Sequence, residues 1–206
     1  KLSPMIQSNR GCPFSCTFCT DGSDLVKQVN KFSIDRVKNE LEYIAKKVPK
    51  NIHSMTISDL NFGMYPRDLE ICQTISDCQK KYEYPNIIQA STGKNQKEKI
   101  INAIKSLNGA LRLSMSVQSM DQEVLENIRR SNISVDQMLA LAPAIEEEKL
   151  GTTAEVILGL PGETYKSHIQ TLRDLVKSNL NYVRPYTLML LHGSEMNTPE
   201  QREKWQ

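Results

Sequence analysis

Apolar residues recur along the chain with two periods that take turns. Between Ser33 and Pro49, Ile34, Val37, Leu41, Ile44 and Val48 fall three or four positions apart. That spacing is one face of an amphipathic helix, with Ser33 as its N-cap. Ile52 to Ser58 reads as a strand and runs into Asp59-Leu60-Asn61-Phe62-Gly63. Pro66 then opens a helix to about Tyr82, with Leu69, Ile71, Ile75 and Cys78 on its apolar face. The alternation continues. Ile87 to Ser91 is a strand. Asn95, with Glu98 three residues on, caps a helix that Gly109 ends. From Leu111 to Gln118, Leu, Leu, Met and Val alternate with Arg, Ser, Ser and Gln, which is a strand. Asp121 caps a short helix to about Arg130. Ser134 caps another to about Lys149, kinked at Pro143 and closed by Gly151. Thr152 to Leu158 is a strand, Thr164 to Ser178 a helix, and Tyr182 to Leu191 the last strand.

With the short extended stretch Pro4 to Ser8 counted first, strand follows helix at intervals of roughly thirty residues. Such alternation means parallel βα units of an α/β protein, with right-handed crossovers. An open doubly wound sheet and part of a βα barrel both fit. The polar segments fall just after the first five strands, on what would be one rim, and barrels place their sites on that rim. A doubly wound sheet would gather them at one switch point. Pro185 within the last strand marks an edge, which a closed barrel lacks. The expected fold is a partial (βα)6 barrel, its six parallel strands in sequence order under outer helices.

Composition narrows the function classes. The 206 residues are 39% hydrophobic and 24% charged, as in a soluble globular domain. A net charge of +2 gives no electrostatic case for nucleic acid. No apolar run approaches the ~18 residues of a membrane span. There is no signal peptide, and cysteines without one indicate a reducing, cytoplasmic setting. The chain begins at Lys1 in mid-pattern and reads as a piece of a longer protein.

The candidate chemistry lies in Cys12-Pro13-Phe14-Ser15-Cys16-Thr17-Phe18-Cys19. Three thiolates can hold three corners of a cubane iron–sulfur cluster, where an all-protein site takes four. The iron left over keeps an open position. A zinc knuckle would need a fourth ligand close by, and the next histidine is His53. A disulfide framework does not suit five cysteines in an ordinary chain. Cys72 and Cys78 fall in a helix and read as small core residues.

The CxxxCxxC spacing, with Phe18 before the third cysteine, resembles the signature of the radical S-adenosylmethionine (SAM) superfamily. The resemblance spans nearly the whole chain, with "RGCPFSCTFC", "DLNFG", "SVQSMD…VLENIRR" and "LGLPGET" as its segments. It is greatest to the branch whose longer members carry a cobalamin-binding domain. It implies residues 1–206 as the core domain, a [4Fe–4S] cluster on Cys12, Cys16 and Cys19, and SAM on the open iron. An external donor of flavodoxin or ferredoxin type would supply the electron, and SAM would be cleaved to methionine and a 5′-deoxyadenosyl radical that abstracts hydrogen. Asp59 and Asn61 stand where the superfamily binds the SAM amino group. Ser91, Ser116 and Gln118 resemble its ribose and carboxylate positions, and Arg130 the partner of the carboxylate. Ile157 stands where an apolar residue packs on adenine, beside Gly159, and Phe18 accompanies the cluster. The implied function is hydrogen abstraction from a small molecule, with methyl transfer leading and cobalamin supplied by a domain outside this chain. The alternatives are methylthiolation or another modification of RNA or of a small molecule, and a non-catalytic electron-transfer iron–sulfur module. The substrate and the residues touching it are not legible.

Overall fold

The computed structural model describes residues 2–132, 134–147, 151–178 and 180–205. The chain forms two compact units. One comprises Lys1–Arg10, Asn30–Ser114 and Pro143–Thr152, the other Gly11–Val29, Met115–Ala142 and Thr153–Gln206.

The first unit opens with β1 (Met5–Ile6) and β2 (Asn9–Arg10) and resumes at β3 (Asn30–Lys31). Then come α1 (Ile34–Lys47), β4 (Ser54–Phe62), α2 (Pro66–Tyr82), β5 (Ile87–Thr92), α3 (Lys97–Ile104) and the start of β6 (Leu113–Gln118). β1, β4 and β5 form a sheet in that order. β1 and β4 run parallel, with Met5 opposite Thr56 and Ile6 opposite Ile57. β4 and β5 are also parallel, and their register shifts between Ile57 and Phe62. An isolated parallel bridge joins Ile88 to Leu111.

Ser33 caps α1 as expected, its Oγ accepting from Arg36 N at 3.4 Å. α2 buries Ile71, Cys72, Ile75 and Cys78. Leu69 is exposed instead, because it lies two positions from Ile71 and so on the far side of the helix. Cys72 and Cys78 are core residues, and burial pushes the Cys72 thiol up to about 12. α3 starts one residue later than its capping pattern suggests. Gln96, at φ 59°, stands at its N-cap without a side-chain bond. The antiparallel pair β2–β3 was not legible in the sequence. It is two residues long on each strand and carries no periodic signal.

The second unit holds the segment after β2, the rest of β6, and α4 (Gln122–Asn127), α5 (Val135–Glu147, entered here), β7 (Thr152–Leu158), α6 (Tyr165–Lys177), β8 (Tyr182–Thr187) and α7 (Pro199–Lys204). β6, β7 and β8 lie in sequence order. β7 and β8 are parallel, with Pro185 opposite Val156 on the edge strand of the three. The last strand stops at Thr187, short of Leu191. α4 stops before Arg130, because Arg129 takes up φ 50° and the Arg130 N–H returns to Leu125 O at 2.8 Å. α5 contains Pro143, and its expected end at Lys149 lies outside the described residues. No helix among the described residues is long and apolar enough to cross a membrane.

Candidate metal centre

Backbone hydrogen bonds and two glycines shape the cysteine loop. Gly11 has φ 105°, and a Cβ there would lie 2.2 Å from Gln28 O. Cys12 N donates to Val26 O at 2.9 Å, tying the loop's start to its end. Cys19 N donates to Cys16 O (3.1 Å), and Gly22 N to Cys19 O (3.1 Å). A Cβ on Gly22 would lie 2.2 Å from Cys16 O, so only glycine lets the chain return this closely. Thr17 is held from both sides. Its N–H donates to Ile128 O at 3.2 Å, and its carbonyl accepts from Met196 N at 2.9 Å. Cys12, Cys16 and Cys19 are in no disulfide, the first two buried and the third partly exposed. Among the described residues, no three His, Cys, Asp or Glu side chains converge as ligands of a single ion would. A cubane spreads its three protein ligands over three irons and needs no such convergence. Three soft thiol donors in one pinned loop therefore fit an iron–sulfur cluster.

Arg130 lies against this loop. Its Nη1 donates to Cys16 Sγ at 3.7 Å, Nε donates to Asn132 Oδ1 at 2.9 Å, and Nη2 donates to Ser116 O. Burial lowers its pKa, and the neighbouring thiols of Cys16, Cys19 and Cys12 oppose that shift. The sulfur contact was not foreseen from sequence, where Arg130 stands far from the cysteines and only an irregular helix end brings it back.

Phe18 and Ile157 come together. Both are partly buried and pack on one core cluster of Val124, Leu125, Ile128, Leu160 and Met196. Ser116, on β6, donates to Glu155 Oε2 on β7 at 2.6 Å, a carboxylate the sequence reading passed over. Gln118 is buried at the end of β6 with φ 65°, a conformation uncommon for a side-chain-bearing residue. Gly159 turns the chain after β7, and its N–H donates to Glu163 Oε2 at 2.7 Å. The other oxygen of Glu163 bonds His168 Nδ1 at 2.9 Å. Thus "LGLPGE" is held by its own terminal carboxylate.

Asp59, Asn61 and Ser91 belong to the first unit. Ser91 is exposed on β5, and Asn61 is buried. β4 runs on to Phe62, so Asp59 and Asn61 are strand residues rather than loop residues. Met55, Ile57, Asp59 and Asn61 are buried, while Ser54, Thr56, Ser58 and Leu60 between them are half-exposed. Asp59 thus continues the buried set. Its Oδ1 accepts from Ser8 N (2.7 Å) and Asn9 N (3.3 Å). Its Oδ2 accepts from Asn9 Nδ2 (2.7 Å) and from Ser8 Oγ. The carboxylate expected to take an ammonium is engaged by four donors of the chain itself. Burial raises its pKa, against the bonds from Ser8 and Asn9.

Asp68, at the start of α2, is buried and accepts from Gly63 N (2.8 Å) and Tyr65 N (3.1 Å) on one oxygen. Burial raises its pKa from 3.8 to about 6. A folded pKa above the unfolded one means that the folded state holds the proton longer. Stability is therefore lost as pH rises from about 4 to 6, by on the order of 3 kcal/mol. Urea unfolding of the parent and Asp68→Asn across this window checks it. The difference between the two curves should change through pH 4–6, and parallel curves would refute the buried titration.

The family model described as the radical SAM superfamily matches residues 6–175. The chain belongs to the radical SAM superfamily. Among curated relatives, the cobalamin-dependent radical SAM methyltransferase TokK of Streptomyces tokunonensis is 34% identical over 203 residues, 97% of this chain and 29% of that protein. The 2-(S-pantetheinyl)-carbapenam-3-carboxylate methyltransferase of Streptantibioticus cattleyicolor is 32% identical over 198 residues, 94% of this chain and 29% of that protein. The chain therefore spans less than a third of these relatives' length. Among solved structures, the radical SAM methyltransferase TsrM from Kitasatospora setae, with cobalamin and a [4Fe–4S] cluster bound, superposes with a TM-score of 0.78. It shares 14% identity, over 94% of this chain and 38% of that one, a likeness of fold.

Proposed function

We propose that this radical SAM chain is the core of a methyltransferase acting on a small molecule, with Cys12, Cys16 and Cys19 holding a [4Fe–4S] cluster and SAM bound beside it. The observation that carries the reading is the loop itself. Three cysteines outside any disulfide stand in one backbone-pinned segment, while Cys72 and Cys78 are committed to the packing of α2. When bound, a cluster with an open iron supplies the electron for reductive cleavage of SAM to methionine and a 5′-deoxyadenosyl radical.

The chain's own residues bind and shield. Phe18 and Ile157 offer an apolar surface for adenine. Ser116 and Glu155 offer a hydroxyl and a carboxylate for ribose, with Gln118 and Gly159 at the ends of their strands. Asn61, Ser91 and the carbonyls at the end of β4 are the candidates for the amino group, since Asp59 is engaged by Ser8 and Asn9. We read the sequence-ordered parallel strands as a partial (βα)6 barrel, residues 1–206 being its core domain. The carbapenam substrate in one relative's name supports a small-molecule substrate. The relatives also support methyl transfer through cobalamin held outside these residues. A flavodoxin- or ferredoxin-like protein is the proposed electron donor, and the cytoplasm the proposed setting.

The test is anaerobic reconstitution with iron and sulfide, followed by SAM and dithionite. Methionine and 5′-deoxyadenosine should form at least about tenfold faster than with cluster-free protein, a difference of about 1.4 kcal/mol in barrier. A fully loaded cluster that leaves SAM intact would overturn the reading.

A further inference from the structure

The geometry points to Arg130 as a positioning residue of the cluster: its guanidinium hydrogen-bonds the Cys16 ligand sulfur and raises the potential at which the cluster accepts an electron. The inference rests on the cluster reading proposed above.

Three observations carry it. Arg130 is 8% exposed, so its charge acts with little screening by water. Each of its nitrogens is engaged, Nη1 by Cys16 Sγ at 3.7 Å, Nε by Asn132 Oδ1 and Nη2 by Ser116 O. Asn132 is itself fixed, its Nδ2 donating to Val117 O and, at 2.9 Å, to Ser119 O. The guanidinium is therefore held in a frame of backbone carbonyls and one amide. Of these three partners, only the Cys16 sulfur carries negative charge when it ligates iron. A buried cation needs a counter-charge, and here that charge is the cluster ligand.

The consequence is electrostatic. A one-electron reductant such as dithionite adds one negative charge to the cluster. A fixed cation beside a ligand sulfur stabilises the reduced form more than the oxidised one. Hydrogen bonds to sulfur and local charge are the means by which a protein sets such potentials. These bonds use three of the five N–H donors of the guanidinium, so the carboxylate role that the family resemblance implies for Arg130 would draw on the other two.

The test uses the reconstituted chain without SAM. Dithionite titration, followed by electron paramagnetic resonance of the reduced cluster, gives the midpoint potential. Arg130→Gln should shift the reduction equilibrium at least about tenfold toward the oxidised form, about 59 mV for a one-electron couple. Arg130→Lys should recover most of that shift, because it keeps the charge. An unchanged potential in Arg130→Gln with the cluster intact would overturn the proposal. So would an unchanged potential with weakened SAM affinity, which would leave Arg130 the carboxylate role alone. A parent chain that loads no cluster would refute the underlying reading, and the proposal with it. Should Arg130→Gln lose its cluster, the parent alone decides. With guanidino-15N arginine incorporated, pulsed resonance of the reduced cluster should show a 15N coupling, and its absence would refute the contact.

Discussion

Cys12→Ala, Cys16→Ala and Cys19→Ala are each expected to abolish cluster assembly, while Cys72→Ala and Cys78→Ala retain about four irons and four sulfides per chain. The loop that carries the three proposed ligands is fixed by backbone bonds, Cys12 N to Val26 O and Cys19 N to Cys16 O, which do not depend on the sulfurs. Each alanine variant should therefore fold and yet lack a ligand that nothing nearby replaces. Cys72 and Cys78 are buried in α2, where their removal leaves a small cavity costing on the order of 1 kcal/mol. Iron and sulfide analysis with visible absorbance reads the outcome directly. Retention of the cluster in Cys16→Ala, or its loss in Cys72→Ala, would break the assignment.

What the sequence made legible followed from periodicity and spacing. The helices over α1, α2 and α6 carry regular apolar stripes and good caps, so their positions could be read within a residue or two. The cysteine loop stood out because a three-cysteine spacing is rare and chemically specific. The sequence order of β1-β4-β5 and of β6-β7-β8 followed from the regular alternation of strand and helix. Side-chain direction was harder. Asp59 looked like a residue of a polar loop because Asp-Leu-Asn follows a strand pattern. The alternation of Met55, Ile57 and Asp59 was in fact the better guide, since it puts the carboxylate among buried residues. Arg130 stands out by family resemblance, but its contact with Cys16 depends on the left-handed turn at Arg129, which no local pattern announces. Glu155 was missed because a single carboxylate in an apolar strand carries no motif. Its meaning comes only from Ser116 on the neighbouring strand.

Asp59→Ala is expected to destabilise the chain by at least about 3 kcal/mol, because it strips the partner from several buried donors at once. Ser8 N and Asn9 N meet one oxygen, and Asn9 Nδ2 and Ser8 Oγ the other. The hydroxyl can rotate to another partner, but the two backbone N–H groups are fixed by the chain and cannot. Asp59→Asn should cost less, about 1–2 kcal/mol. Its remaining oxygen can still accept from the backbone pair, and a flip of the Asn9 amide turns a clash of two donors into a bond. Urea unfolding of both variants measures the cost, and SAM affinity is measured on the folded, reconstituted protein. A bracing role predicts lowered unfolding midpoints in the order alanine below asparagine below parent, with the affinity of folded Asp59→Asn close to the parent's. The ammonium-acceptor role predicts the reverse, an unchanged midpoint in Asp59→Asn and affinity reduced about ten- to a hundredfold. That second pattern would return Asp59 to the SAM site and show that its bonds to Ser8 and Asn9 yield to the ligand.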